Sequence, residues 1–270
     1  MADGCLGFLA LGMTVDEGSQ FLLETPYTLK KLSDLEDLGI AEGSLLHRNV
    51  KDFYAEAGDG TELWVMGFQW GSYFNSVLDK DNAEGAVSLL KAARGKIRGL
   101  IAFREYDEET QSGNGFEGGI DSDVMSSLPM AQGLGEWATD VLRAPIFTLI
   151  EAHAYRFDKD LEEPGVLPNL RQMQYNRVGL VIGDTEENSP NACMGVVAGR
   201  IACSPVQRKI SRVKDGAVKP LKIYINDQLA EVADVAAIHE MGFITFRTFV
   251  GKSGYFIADD MLATEAAADY

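Results

Sequence analysis

Histidines, cysteines and basic residues are scarce in this sequence. Its 270 residues include 3 histidines and 3 cysteines, and 24 lysines and arginines stand against 41 acidic residues, which gives a formal net charge of −17. A surface this acidic repels the phosphates of nucleic acids and of anionic membranes. The composition therefore disfavours both as the main partner of the chain.

The cysteines indicate neither a disulfide framework nor a zinc site. Cys5, Cys193 and Cys203 are odd in number and form no CxxC pair. We expect reduced, buried thiols in a cytoplasmic protein. The apolar run at 5–11 is too short to cross a membrane, and the first residues lack the basic start of a signal peptide, so we expect no membrane insertion.

Recognisable enzyme motifs are also lacking, since HExxH, HxH and GxSxG do not occur. The glycines at 113–118 match GxGxxG, but they follow an acidic segment that would repel a pyrophosphate, so we interpret them as a loop. The glycines at 251–254 resemble the end of a P-loop, yet Phe246 stands where its first glycine belongs, which indicates a hairpin turn. Residues 79–82 begin like a calcium loop but lack its later ligands and are interpreted as a helix cap. The sequence therefore predicts no cofactor and no metal.

Short apolar runs alternate with amphipathic segments up to about residue 204. This alternation predicts an α/β fold with a mixed, mostly parallel central sheet flanked by helices. The predicted strands are 5–11, 61–68, 97–103, 145–152 and 177–182, and the predicted helices are 29–38, 45–57, 83–93, 122–142 and 189–203.

Local signals predict several helix boundaries. Ser33 and Glu36 have the spacing of a capping box in the first helix. Pro129 is expected to break or restart the long helix. Ser189 and Pro190 are expected to cap the last one, and its small residues are expected to pack tightly on the sheet.

The character of the sequence changes after residue 204. We expect strands at 221–225, 243–250 and 255–258, with one helix at 232–239. We therefore divide the chain into an α/β core at 1–204 and a remainder at 205–270 that belongs to the same domain and ends in a β-hairpin. An apolar hairpin near a chain end needs a cover, because an open strand edge pairs with another chain.

A basic segment stands out from this acidic background. Between Arg200 and Lys222 there are seven lysines and arginines, including Arg208, Lys209 and Arg212, against the single acid Asp215. Because no aromatic residue is interleaved to stack on bases, nucleic acid is disfavoured. We predict electrostatic complementarity with an acidic face of a neighbouring copy, and the alternative is a merely solvated strip.

Glu151 and His153 are the strongest candidates for an active site. They follow a predicted strand, at the place where α/β enzymes hold their ligands. The alternative function is therefore a small-molecule α/β enzyme, although a hydrogen-bonded structural pair fits the same residues. A pocket there favours the enzyme, and a filled surface favours a structural role.

Several stretches of glycine and apolar positions resemble one family in order and spacing. They are residues 6–12, 27–40 with 53–58, 191–200 with 210–213, and 251–260. In these stretches the chain resembles the tail sheath proteins of contractile phage tails and related contractile injection systems.

The resemblance implies a structural protein without an active site. It implies a subtilisin-like topology that lacks a catalytic triad, and subunits stacked in helical rings around an inner tube. Terminal arms add strands to neighbouring sheets, and contraction is a rigid-body rearrangement. The implied partners are copies of the chain, the inner tail tube protein, and baseplate or terminator proteins. The implied location is a virion tail or phage-like particle assembled in the bacterial cytoplasm.

We therefore expect a sheath subunit that associates with copies of itself. Because the first strand begins near residue 5 and the hairpin ends close to Tyr270, we expect the core domain without its linking arms. The predicted contact surface combines the basic segment with the hairpin edge: Arg208, Lys209, Arg212, Phe246, Tyr255 and Phe256.

Overall fold

A six-stranded sheet lies at the centre of the computed structural model. Its strands are β1 (Cys5–Met13), β2 (Tyr27–Leu29), β3 (Leu63–Gln69), β4 (Ile97–Arg104), β7 (Phe147–Glu151) and β9 (Val178–Val181). The helices are α1 (Leu32–Asp37), α2 (Leu45–Ala57), α3 (Phe74–Val77), α4 (Ala86–Ala92), α5 (Ser122–Leu142), α6 (Met194–Cys203) and α7 (Val235–Glu240). The structure describes residues 4–106, 116–155, 167–205, 208–231, 235–258 and 262–264.

The remaining strands are two residues long and form separate pairs. These pairs are β5 (Phe116–Glu117) with β6 (Ile120–Asp121), β8 (Gln174–Tyr175) with β14 (Ala263–Thr264), β10 (Tyr224–Ile225) with β11 (Gln228–Leu229), and β12 (Phe246–Arg247) with β13 (Phe256–Ile257).

The central sheet is mostly parallel, which confirms the predicted α/β class. Its strand order is β2-β3-β1-β4-β7-β9, and only β2 pairs antiparallel with its neighbour. All nine residues of β1 are buried, as expected for a strand covered on both faces. Phe8 packs on Phe53 of α2, whereas a side chain at the adjacent Gly7 would meet Leu89 of α4. Because successive strand residues point to opposite faces, α2 and α4 cover opposite sides of the sheet.

Helices α2 and α6 cross at a distance that only glycine permits. A Cβ atom on Gly195 would lie 2.0 Å from the carbonyl oxygen of Asn49, and one on Gly199 would lie 2.7 Å from that of Phe53. The Asn49 side chain closes the crossing, because its Oδ1 accepts from the Gly195 amide at 2.7 Å. Gly195 and Gly199 therefore face α2 rather than the sheet that the sequence analysis predicted as their partner, although the helix also contacts β1 and β4.

The first predicted helix is shorter than its leucine spacing suggested. Tyr27–Leu29 instead forms β2, because pairing with β3 satisfies its backbone groups at the sheet edge. The cap also differs from the prediction. The carboxylate of Asp34 accepts from the amides of Lys30 and Lys31 at 2.7 and 3.2 Å, so this residue takes the role expected of the Ser33 and Glu36 pair.

Helix α5 runs through Pro129 without a break, contrary to the prediction. A proline inside a helix removes one backbone hydrogen bond and costs about 3 kcal/mol. Here Val124 and Leu128 before the proline and Ala131 and Leu134 after it are all buried, so one continuous apolar stripe holds both halves. Tertiary packing therefore outweighs the local cost.

Two further expectations need correction. Helix α6 begins at Met194, with Cys193 rather than Ser189 at its N-cap, because Ser189 hydrogen-bonds to the side chain of Asp184. Cys5 and Cys193 are buried as expected, but Cys203, at the end of α6, is exposed.

Within the part of the chain that the structure describes, none of the helices combines the length and apolar composition that crossing a bilayer requires.

The segments after residue 204 pack beside β9. Ile244 forms a parallel bridge with Val181 and so extends the central sheet by a single residue. The strands here are much shorter than predicted, since only Phe246–Arg247 of the expected run 243–250 pairs as a strand. The glycines at 251–254 form the turn between β12 and β13, as the sequence indicated.

We predict that Gly195→Ala destabilises the fold by about 2 to 4 kcal/mol, because the methyl group forces α2 and α6 apart. Urea unfolding followed by circular dichroism measures the loss. The control is Gly133→Ala in the middle of α5, where the nearest atom lies 3.9 Å away. That control should gain up to about 1 kcal/mol from helix propensity. Equal stability of the two variants would contradict the close crossing.

Candidate functional site

A buried polar network occupies the carboxyl edge of the central sheet. Arg104 is the last residue of β4, Glu151 is the last residue of β7, and His153 follows two residues later. Asn191 reaches the same edge from the segment between β9 and α6. The carboxyl ends of parallel strands share one edge of the sheet, so the fold brings these distant residues together. The sequence therefore located Glu151 and His153 correctly.

The carboxylate of Glu151 is saturated with hydrogen bonds. It accepts from the backbone amide of Arg104 at 2.5 Å, from the amide of Ala192 at 3.3 Å and from Nδ2 of Asn191 at 3.2 Å. Nδ1 of His153 lies 2.9 Å from the Glu151 Oε1. Both side chains have 0% exposure. The pair therefore forms part of the interior.

The guanidinium of Arg104 holds two further carboxylates. It donates to Asp123 at 2.9 Å and to Asp121 at short distance, and it lies over the ring of Phe74, 4.9 Å from the centroid. Asp123 also accepts from the amides of Phe74 and Asn75 at 2.6 and 3.2 Å. Burial raises the pKa of Asp123, and the charge of Arg104 acts against that rise. The network thus ties α3 and α5 to β4.

Among the described residues, protein side chains therefore fill the space around Glu151 and His153, at the place where an α/β enzyme would hold its ligand. A substrate cannot contact Glu151 or His153 in this arrangement, because neither side chain reaches the surface. Buried charges that are paired and hydrogen-bonded serve to fix a structure. By the criterion set from the sequence, a filled edge favours a structural role.

A surface groove of about 970 Å³ lies next to this network. It runs beside the first turns of α5, between Tyr73 and the strand residues Gln174 and Tyr175, and it shares Asp123 with the network. Glu151 and His153 do not line it. Among the described residues, no group of three or more histidines, cysteines or acidic residues is arranged to hold a metal ion.

A second set of charges joins α2 to the loop after β9. Arg48 donates to Asp184 at 2.9 Å and pairs with Glu186 at 2.6 Å. Burial raises the pKa of Asp184, and Arg48 opposes that rise. Half-buried Asp52 lies one turn along α2, where burial raises the pKa of its carboxyl to about 6. Burial therefore moves the titration of Asp52 toward neutral pH.

The predicted basic contact residues lie at the surface. The side chains of Arg208 and Arg212 are 48% and 44% exposed, and their guanidinium nitrogens lie 3.8 and 3.9 Å from the Asp215 carboxylate. Lys209 is exposed as well. Arg200 is instead buried and donates to the carbonyls of Asp215 and Ala217 at 3.1 and 2.6 Å. It fixes the segment that carries the other cations.

The aromatic residues predicted for the hairpin edge are buried. Phe246 is fully buried, and Tyr255 and Phe256 are each 5% exposed. Their rings belong to the core of this chain, so a contact through the hairpin would use its backbone edge and the fully exposed Val250 in the turn. The sequence could not distinguish a core residue from a residue that contacts another chain, because apolar strand residues are found in both places.

The glycines at 113–118 lie mostly outside the described residues. Gly118 and Gly119 form the turn between β5 and β6, and α5 begins only at Ser122. The side chain of Asp121 caps that helix by accepting from the Asp123 amide at 2.8 Å. Two carboxylates at the helix start repel phosphate, so this geometry does not suit a nucleotide.

Several residues of the network were not predicted from the sequence. They are Arg104, Asp121, Asp123 and Asn191. Arg104 gave a detectable signal, because a charged residue ends an otherwise apolar strand. The aspartates gave none, since they close an acidic segment that has the composition of a loop.

We predict that Glu151→Gln destabilises the chain by about 2 to 4 kcal/mol, because an amide donor would face several backbone and side-chain donors. Denaturant unfolding gives the value. Glu187→Gln is the matched control, since Glu187 is exposed on the loop after β9 and its loss should cost less than about 0.5 kcal/mol. An unchanged stability for Glu151→Gln would contradict the structural role of the network.

Asp52→Asn should stabilise the chain above pH 6 by about 1 to 2 kcal/mol. The pKa of Asp52 is higher in the folded chain than its ordinary value, so folding favours the protonated carboxyl. Stability from this group is therefore present at low pH and lost as the pH rises through about 6. Thermal unfolding of both proteins across this range provides the test. A stability difference that does not change with pH would show that Asp52 is not the titrating group.

Comparison with known proteins identifies a family and a fold. A model of the DUF2586 N-terminal domain matches residues 7–261. No curated protein matches the chain. A chain in the cryo-EM structure of the anti-feeding prophage (AFP) baseplate, 6-fold symmetrised, has a similar fold, with a TM-score of 0.54 and 11% sequence identity.

The structural similarity extends over nearly the whole of this chain. It covers 98% of the chain described here, which spans 64% of the length of the baseplate chain. At this identity the likeness establishes the fold. The family assignment comes from the sequence: because the domain model matches over residues 7–261, which is most of the chain, the chain belongs to the DUF2586 family.

Proposed function

We propose that this chain is a structural, non-enzymatic subunit of a contractile injection system or related phage-like particle. Two observations support the proposal. The fold is similar to that of a chain in a prophage baseplate structure. The sequence resembles tail sheath proteins in several stretches between residues 6 and 260. The two observations are of different kinds, one from the backbone and one from the sequence.

More specifically, we propose a sheath subunit that polymerises around an inner tube and contracts to drive it through a target envelope. Residues 1–204 would form an α/β core of subtilisin-like topology, and 205–270 would complete the same domain. Its partners would be copies of itself, the inner tail tube protein, and baseplate or terminator proteins. The particle would assemble in the bacterial cytoplasm.

The filled carboxyl edge is the observation that carries the non-enzymatic part of this proposal. In α/β enzymes that edge is open to a ligand. Here Glu151 and His153 are buried and bonded inside it. Because neither of these side chains is accessible, we propose that the exposed surfaces of the chain carry the function.

A second candidate is a fixed component of a baseplate ring, which is favoured by the similarity of the fold to a chain of a prophage baseplate. Negative-stain electron microscopy of the full gene product separates the two. Striated hollow tubes support the sheath, and closed rings that do not extend support the baseplate component. Dispersed monomers from a folded chain would overturn both and return attention to ligands near His153.

We predict that reversing Arg208, Lys209 and Arg212 to glutamate weakens self-association at least about tenfold, because these exposed cations would meet acidic groups of a neighbouring copy. Sedimentation velocity and microscopy measure assembly, and circular dichroism shows that the fold is kept. The control reverses Lys51, Lys80 and Lys91, which are exposed elsewhere and change the net charge equally. Normal assembly of the first variant would contradict the role of the basic segment.

A further inference from the structure

Acidic and basic residues are unevenly distributed between the two ends of the parallel strands. The segments 14–20, 105–106 and 182–191 directly follow β1, β4 and β9 and therefore lie at the carboxyl edge of the sheet. All the charged residues in these segments are acidic: Asp16, Glu17, Glu105, Asp184, Glu186 and Glu187. The segments 70–73 and 152–155, which follow β3 and β7, contain no lysine, arginine or carboxylate.

The acidic surface extends onto the start of α2. Gly39 packs on Ser19, and the amide of Leu45 donates to Glu105 at 2.7 Å, so the turn between α1 and α2 lies on the same side. The end of α1 and this turn add three exposed acids, Glu36, Asp37 and Glu42. Arg48 also reaches this side, but Asp184 and Glu186 neutralise it. We call this surface the carboxyl face.

The opposite end of the strands carries mostly cations. Exposed basic residues stand shortly before the strands at this edge: Arg94 and Lys96 before β4, and Arg143 before β7. Half-buried Arg177 directly precedes β9. The exposed acid Asp59, which stands before β3, and the pairing of Lys96 with Glu62 at 3.3 Å compensate part of this charge. We call this surface the amino face.

The basic segment is attached to the amino face. Helix α2 begins at the carboxyl edge, where Leu45 meets Glu105, so its last turn lies at the amino edge. In that turn Glu56 accepts from the amide of Lys219 and pairs with Arg200 at 3.4 Å. These contacts place Arg208 and Arg212, together with Lys209, Lys214 and Lys219, beside the strand starts.

We propose that copies of this chain associate head to tail, with the carboxyl face of one copy against the amino face of the next. The inference rests on the self-association proposed above and names the two surfaces that meet. With a net charge of −17, most other pairings of surfaces bring like charges together. Because the two faces are at opposite ends of the molecule, the contact is heterologous and generates rings or open filaments rather than closed twofold dimers.

The test uses reversal of each face. The amino-face variant carries Arg208→Glu, Lys209→Glu and Arg212→Glu, and the carboxyl-face variant carries Asp16→Lys, Glu17→Lys and Glu187→Lys. Each variant alone should associate at least about tenfold more weakly than the natural chain at low salt. An equimolar mixture should associate again, because the acidic faces of one variant meet the basic faces of the other. A chain with all six changes should also assemble.

Several outcomes separate this inference from the proposed function. If the natural chain assembles but the carboxyl-face variant assembles equally well, the face-to-face contact is wrong and the structural role stands. If the natural chain stays monomeric, the structural role falls, and the mixture still decides the contact. A mixture that sediments as two independent monomers overturns the inference. Asp37→Lys with Glu42→Lys gives a second carboxyl-face variant, and circular dichroism confirms the fold of each protein.

Discussion

The fold depends on keeping the buried charges at the carboxyl edge of the sheet paired. Arg104 sits between Asp121 and Asp123, and the Glu151 carboxylate accepts from two separate parts of the chain, Arg104 and the adjacent residues Asn191 and Ala192. A carboxylate or guanidinium deprived of its partner in such a place costs several kcal/mol. These contacts hold β4 and β7 together with α3, α5 and the start of α6. Separating these elements would leave the buried charges of the network unpaired.

Burial of Glu151 and His153 leaves these two residues inaccessible at the position where α/β folds usually bind a ligand. In this fold class the carboxyl ends of the strands hold the ligand. Here the buried side chains of Arg104, Glu151 and His153 occupy that position. The exposed surface around them is the acidic carboxyl face. The opposite end of the strands presents the basic segment, which Arg200 and Glu56 attach to the core. The two ends therefore differ in charge, and the contact that we propose between copies uses this difference.

The sequence was sufficient for the five parallel strands of the central sheet and for the longer helices between them, because long apolar runs and glycine stops are local signals. It failed where tertiary contacts outweigh local ones. Pro129 does not break α5, since buried residues on both sides hold the helix, and Tyr27–Leu29 is a strand because β3 is available to pair with it. The partners of Glu151 were equally hidden. Asn191 lies 40 residues away along the chain, and no spacing rule predicts such a contact.

The most direct measurement is a cryo-EM reconstruction of assembled full-length protein at side-chain resolution. The account predicts that the carboxyl face of each copy contacts the amino face of the next, and that Glu151 and His153 stay buried within each copy. A reconstruction in which both faces point to solvent, or in which a pocket opens around His153, would contradict it.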